Sequence, residues 1–256
     1  MFVLNCYDKD NTIPIARCLQ GRKSDLLCIK KDDNYSESDD DKVTELALDK
    51  GKFEPRLNPY ERNVVYIAGP SGSGKSTFAA NLIKAYLNTF DKPLYIFSRT
   101  NCVHDPAFKG MKFMQIPINE QLLESPIDIT QELTGGSIVL FDDCNTIQDD
   151  KLRNSVEKLM GDILEVGRKL DITIIITSHL VIPNSKKFAR TIMNELQSLT
   201  IFPKSGSAQQ IRYALKTYFG LSNQQIDYIL EIKSRWITIS KTYPMYVLSE
   251  RLAYIL

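Results

Sequence analysis

The chain lacks any apolar run close to the ~20 residues that a membrane-spanning helix requires. Its start, MFVLNCYDKD, has neither the basic opening nor the apolar length of a secretory signal. Cysteine pairing is also missing. Cys6, Cys18, Cys28, Cys102 and Cys144 are scattered and odd in number, with no C-x-x-C spacing, which excludes a disulfide framework and a thiolate metal site. Histidine is scarce: there are only two, at 104 and 179, neither at ligand spacing, so no resident metal cluster is expected. No internal repeat is visible. These absences describe a soluble protein of a reducing, intracellular compartment, with 256 residues that suffice to bury one large core without covalent staples.

Charge is present but unevenly placed. Residues 31–50 carry eight acidic against three basic side chains, whereas residues 183–241 carry nine basic against three acidic, so the C-terminal third is where a polyanion would be held. The stretch KKDDNYSESDDDK (30–42) is too polar and too charged to pack, and it is expected to form a solvated, flexible loop. Before it, short apolar runs at 2–4 and 26–29 suggest a small β appendage over residues 1–62. From residue 63 to 256, strand-like runs alternate with helical patterns, the mark of a mainly parallel sheet with helices on its faces. Strands are expected at 63–68, 94–98, 137–142, 172–177 and 198–202, followed by two more around RWITIS and MYVL. Leu152, Val156, Leu159, Met160, Ile163 and Leu164 recur at helical spacing on a helix ending near Gly167, which delivers Arg168 at its end. IRYALKTYFG and SNQQIDYILEI read as two further helices, the second opened by a Ser222/Gln225 capping box and both expected to pack into the core rather than to read DNA.

The chemistry begins at GPSGSGKS (69–76), which fits G-x-x-x-x-G-K-[ST] and lies between a β-branched strand and a helix. In such a loop, Gly69, Pro70, Ser71, Gly72, Ser73 and Gly74 curl the backbone so that its N–H groups face phosphate oxygens, and the helix N-terminus adds its dipole. Lys75 then reaches the terminal phosphates, Ser76 ligates Mg²⁺, and Thr77 follows in the first helical turn. The loop calls for a nucleotide such as ATP with its magnesium. SIVLFDDC (137–144) is an apolar strand ending in two carboxylates: Asp142 is expected to hold the metal through water, and Asp143 to orient or deprotonate an attacking water. ITIIITSH places Ser178 and His179 at the same sheet edge, where a polar residue can sense the terminal phosphate.

The loop alone does not choose between a switch, a kinase and a motor. A GTPase switch needs an N-K-x-D base-reading motif, which is absent. A guanylate-kinase-like enzyme would use a similar loop, and SRT (98–100) sits where an acceptor-binding arginine could stand; against it, no arginine-rich lid is present and the paired aspartates suit attack by water. Beyond the loop, the series SRTNCVHDPAF (98–108), VLFDDC (139–144), EVGRKLDITIIITSH (165–179), NELQSLTIFPKSGS (194–207) and SRWITISKTYP (234–244) resembles the poxvirus-type genome-packaging ATPases of large nucleocytoplasmic DNA viruses, within the FtsK-HerA superfamily. The resemblance covers residues 63–250 and leaves the first 60 uncovered.

This resemblance implies an α/β P-loop NTPase of the additional-strand, catalytic-acid type: an ATP-driven, sequence-independent translocase of double-stranded DNA that fills a preformed capsid. It implies a homo-oligomeric ring, capsid-vertex or portal proteins as partners, and residence in the viral factory of the host cytoplasm and in the virion. Position by position, it implies Lys75 and Ser76 on phosphate and metal, Asp142 on Mg²⁺, Asp143 on water, His179 as sensor and Arg168 as the finger that reaches the neighbouring subunit's site, with Arg190 and Arg235 in reserve. Lys186 and Lys187, after the sensor strand, are the candidate DNA contacts. Two positions depart from the wider superfamily, which usually has Glu where Asp143 stands and, in cellular members, Gln in place of His179. An NTP-gated assembly factor at the capsid vertex is the remaining, non-enzymatic alternative.

Overall fold

A computed structural model describes residues 1–5, 8–21, 23–31 and 43–256; the side chain of residue 145 is not described. The expected acidic loop, 30–42, falls almost wholly outside these residues. In chain order the strands are β1 (Phe2–Leu4), β2 (Thr12–Gln20), β3 (Lys23–Lys30), β4 (Glu45–Ala47), β5 (Lys52–Pro55), β6 (Val64–Ala68), β7 (Leu94–Ser98), β8 (Met114–Pro117), β9 (Ile138–Asp142), β10 (Thr173–Ser178), β11 (Ser198–Ile201), β12 (Ile237–Ser240), β13 (Tyr246–Ser249) and β14 (Leu252–Ile255). The helices are α1 (Lys75–Leu87), α2 (Gln121–Glu124), α3 (Ile129–Glu132), α4 (Asp150–Glu165), α5 (Lys186–Glu195), α6 (Ala208–Phe219) and α7 (Asn223–Glu231).

The main sheet has the order β4-β14-β13-β12-β11-β6-β10-β9-β7-β8. Neighbours from β11 to β8 pair in parallel, and those from β11 to β4 antiparallel. Strands β6, β7, β9 and β10 are buried at every position, which is why they read as continuous apolar runs rather than alternating ones. Their side chains still alternate between two cores. Val64, Tyr66, Val139, Phe141, Ile174 and Ile176 face one side, and Val65, Ile67, Ile138, Leu140 and Ile175 the other.

On the first side lie α4 to α7. The six apolar residues expected on α4 are all buried, and the helix begins at Asp149, whose carboxylate accepts from Leu152 N at 2.7 Å. The capping box of α7 is complete: Gln225 N donates to Ser222 Oγ and Ser222 N to Gln225 Oε1. Ile211, Leu215, Ile226 and Ile229 of α6 and α7 are buried in the same core, as expected of packing helices.

The second side is covered by α1 and by a separate four-stranded antiparallel sheet in the order β1-β3-β2-β5. Phe2, Ile15, Leu27, Ile29 and Phe53 of this small sheet join Ala79, Ala80 and Ile83 of α1 in one cluster. Sequence periodicity missed β2 because Pro14 interrupts it; the register shifts between Pro14 and Ala16, so the missing N–H falls at a bulge. The first 62 residues also divide between the sheets, since β4 pairs with β14 at the end of the main one. Strands β4, β5, β8 and β14 are only three or four residues long, too short to show a period.

Candidate active site

All parallel strands end at one edge of the sheet, and the GPSGSGKS loop lies there between β6 and α1. Gly72 and Gly74 have φ of 74° and 104°, conformations that a side chain would resist. A Cβ at Gly69 would come within 2.7 Å of Ser73 Oγ and 2.9 Å of Phe202, so the loop closes tightly on its own start. Gly69 N donates to Ser178 O at 3.0 Å, which ties the loop to the end of β10. Helices α4 to α7 each have a side chain capping the N-terminus, whereas α1 has none. Its first-turn N–H groups are thus left for a ligand. Ser73 Oγ is buried without a hydrogen-bond partner, a cost of ~1–3 kcal/mol that an oxygen-rich ligand would remove.

Around this socket, five residues singled out from the sequence converge. Lys75 is only 4 % exposed, and its Nζ lies 3.4 Å from both Pro70 O and Asp143 Oδ1. These contacts are long enough to be exchanged for phosphate oxygens at little cost. Ser76 Oγ donates to Asp142 Oδ1 at 3.2 Å, although the two residues are carried by α1 and β9. Asp143 is a third exposed, with Oδ2 3.3 Å from His179 Nε2, so its carboxylate is clamped between the lysine and the imidazole. Asp143 also adopts a left-handed backbone with φ 48° and ψ 38°, which costs a non-glycine residue ~1–2 kcal/mol and turns its side chain out of the strand.

Thr177, which sequence reading passed over, holds this arrangement together. Its fully buried hydroxyl accepts Asp143 N at 2.9 Å and donates to Asp142 Oδ1 at 2.9 Å. The reason is topological: β10 is inserted between β6 and β9, so the end of β10 faces both carboxylates. The hint in the sequence was a hydroxyl ending an isoleucine run, with Ser178 beside it and Thr173 before the run, which is weak by itself. Ser178 instead bonds Leu180 and shapes the turn after β10.

Burial is the main force raising the Asp142 carboxyl above the usual range, with the neighbouring Asp143 charge adding to it; the hydrogen bonds from Thr177 and Ser76 oppose the shift. Burial raises the Cys102 and Cys144 thiols as well, so these nearby sulfurs stay protonated and inert. Among the described residues, no three His, Cys, Asp or Glu side chains gather into a metal cage. The oxygen pair Ser76 and Asp142 nevertheless suits Mg²⁺, which commonly takes one or two protein oxygens and completes its shell with phosphates and water.

The other charged residues singled out from the sequence divide: Arg235 lies at the loop, whereas Arg168 lies apart from it. Arg168 is exposed in the turn after α4, before β10 begins, roughly 17 Å from the strand ends where the loop sits. Beside it, Arg62 caps α4, donating to Ile163 O, Leu164 O and Ile172 O. Lys186 and Lys187 are exposed in the first turn of α5, on the nucleotide edge. Arg99 is tied to Thr146 O at 3.1 Å. Arg235 is near the loop: a Cβ at Gly74 would come within 2.9 Å of its guanidinium.

No protein-family profile matches the chain. A sequence relative does: protein V3 of Sputnik virophage, described only as uncharacterized, is 46% identical over 216 residues, spanning 84% of this chain and 86% of V3. The chain belongs to the V3 family. Two solved structures share the fold at low identity. The genome-packaging NTPase B204 of Sulfolobus turreted icosahedral virus 2, in complex with AMPPCP, is 11% identical with a TM-score of 0.51, over 75% of this chain and 99% of B204. The pCW3 conjugation coupling protein TcpA, with ATPγS, is 15% identical with a TM-score of 0.52, over 94% of this chain and 77% of TcpA. The V3-family fold is therefore that of a P-loop NTPase, a mostly parallel α/β sheet. Among the described residues no helix is long and apolar enough to cross a membrane.

Proposed function

We propose that the chain is an ATP-hydrolysing motor that moves double-stranded DNA into a viral capsid, acting as a homo-oligomeric ring of the poxvirus-type branch of the FtsK-HerA superfamily. The observation that carries this reading is the Lys75–Asp143–His179 clamp beside an uncapped α1 N-terminus. The nucleotide-bound packaging NTPase and coupling protein that share its fold, and the virophage origin of its relative V3, support it.

In the proposed cycle, the loop amides and Lys75 bind the phosphate chain, and Ser73 Oγ gains the partner it lacks. Asp143, freed from Lys75 as the amine turns to phosphate, orients the attacking water and accepts its proton, while His179 keeps hold of the other carboxylate oxygen. Ser76 and Asp142 would hold Mg²⁺, which when bound neutralises charge on the phosphate oxygens. Arg168 is too far from the site of its own subunit to act there, and in a ring it is free to reach a neighbour's. Lys186 and Lys187 grip DNA phosphates without reading sequence. Two lysines in the first turn of a helix oppose its dipole, an arrangement that an external anion would offset. Capsid-vertex or portal proteins would anchor the ring, and infection would place it in the host's viral factory and in the virion.

The deciding experiment is steady-state ATP hydrolysis with and without long double-stranded DNA, across protein concentrations, with Asp143→Asn as control. Turnover that rises steeply with concentration and DNA and falls ~10²–10⁴-fold in the control is the expected result. Activity that appears only with a nucleoside monophosphate acceptor would replace the motor with a kinase. Nucleotide binding without turnover would leave an assembly factor.

A further inference from the structure

The phosphate machinery occupies only one flank of the loop. Asp142, Asp143, Thr177 and His179 come from β9 and β10, on one side of β6. On the other side, β11 and β12 bring Phe202, Arg235 and Trp236 to the same edge. Between these residues, α1 and β5 of the small sheet opens a cavity of about 610 Å³, within the ~300–1,000 Å³ range of small-molecule sites. It reaches the loop at Gly74 and Thr77.

We infer that this cavity receives the nucleoside and α-phosphate of the bound nucleotide, and that the small N-terminal sheet is one wall of the nucleotide site. The inference rests on the phosphate-loop reading above. Since the terminal phosphate must lie by Asp143, a nucleotide crossing the loop leaves it on the Gly74 side. The floor there is aromatic: Phe78 meets Trp236 edge-on at 5.1 Å between ring centroids and Phe202 at 6.4 Å, an apolar platform for a base. The rim is cationic, with Arg17, Lys52, Arg56, Lys84 and Arg235 against Glu54 and Glu250, a balance of +3 from five basic and two acidic residues. Burial and the neighbouring Arg17 charge lower the affinity of the Arg56 guanidinium for its proton, and the Glu54 carboxylate opposes them. Arg235 lies against Gly74, where the α-phosphate would pass, and is a residue of the subunit's own site rather than a finger for its neighbour.

Trp236 is the only tryptophan of the chain, so the cavity contains its own reporter. Magnesium ATP and magnesium tripolyphosphate are titrated into the full chain, with binding followed by calorimetry and by Trp236 emission. Both should bind, and only ATP should shift the emission. Asn81→Trp, which places bulk at an exposed position of the cavity wall, should weaken ATP at least tenfold and leave tripolyphosphate unchanged; Arg56→Ala, which removes a rim cation just after β5, should weaken ATP as well. Equal emission responses to the two ligands, or ATP affinity unchanged in Asn81→Trp, would overturn the nucleoside site while leaving the phosphate loop intact. Failure of both ligands to bind the unaltered chain would overturn the phosphate-loop reading and this inference with it.

Discussion

Replacing Thr177 with valine removes one oxygen and almost no volume, which makes it a sharp test of how the site is held. The side chain is fully buried, so no water can take the place of its hydroxyl. Asp143 N loses its 2.9 Å acceptor and Asp142 Oδ1 loses one of its two donors, keeping Ser76. An unpaired amide costs ~1–3 kcal/mol, while the valine shape leaves no cavity and suits a strand. A loss of ~2 kcal/mol in stability is therefore expected, read from the midpoint of urea unfolding. The same loss should reach turnover, because the strained backbone of Asp143 is anchored by that amide. If its pose is weakened by ~2 kcal/mol, kcat falls ~30-fold. KM should hardly move, because the phosphates meet the loop and Lys75 instead. Thr177→Ser keeps the hydroxyl and should recover most of the rate. A valine variant within twofold in kcat and within ~0.5 kcal/mol in stability would refute the bridging role.

Three further outcomes are expected. Asp142→Asn should raise the melting temperature of the nucleotide-free protein, because a carboxylate that burial penalises becomes a neutral acceptor, yet it should abolish turnover; a lower melting temperature would contradict the burial argument. Arg168→Ala should bind ATP normally and hydrolyse it ~10³–10⁵-fold more slowly, with partial recovery when Lys75→Ala subunits are mixed in, and absence of recovery at every ratio would remove its action on a neighbour. Lys186→Ala with Lys187→Ala should weaken DNA binding equally for all sequences and flatten its salt dependence, and an unchanged slope would put the grip elsewhere.

The sequence by itself determined whatever is encoded in short windows. GPSGSGKS needs only its own glycines, its lysine and the elements on either side to form an anion socket. The four central strands were legible because full burial demands unbroken apolar runs, and α4 because one face of a helix repeats its contacts every three or four residues. The carboxylate pair was legible because it terminates such a run. Tertiary structure decided what depends on residues far apart in the chain. Thr177 meets Asp142 across 35 positions only because β10 is inserted beside β9, and no local pattern distinguishes its hydroxyl from that of Thr173 on the same strand. The sequence put Arg168 forward as the finger and Arg235 in reserve, without placing either in space; the chain path puts the first a strand's length from the loop and the second against Gly74. The small sheet lies on the α1 face because its apolar side needs the same core as that helix, a demand of packing that the order of its own residues could not express.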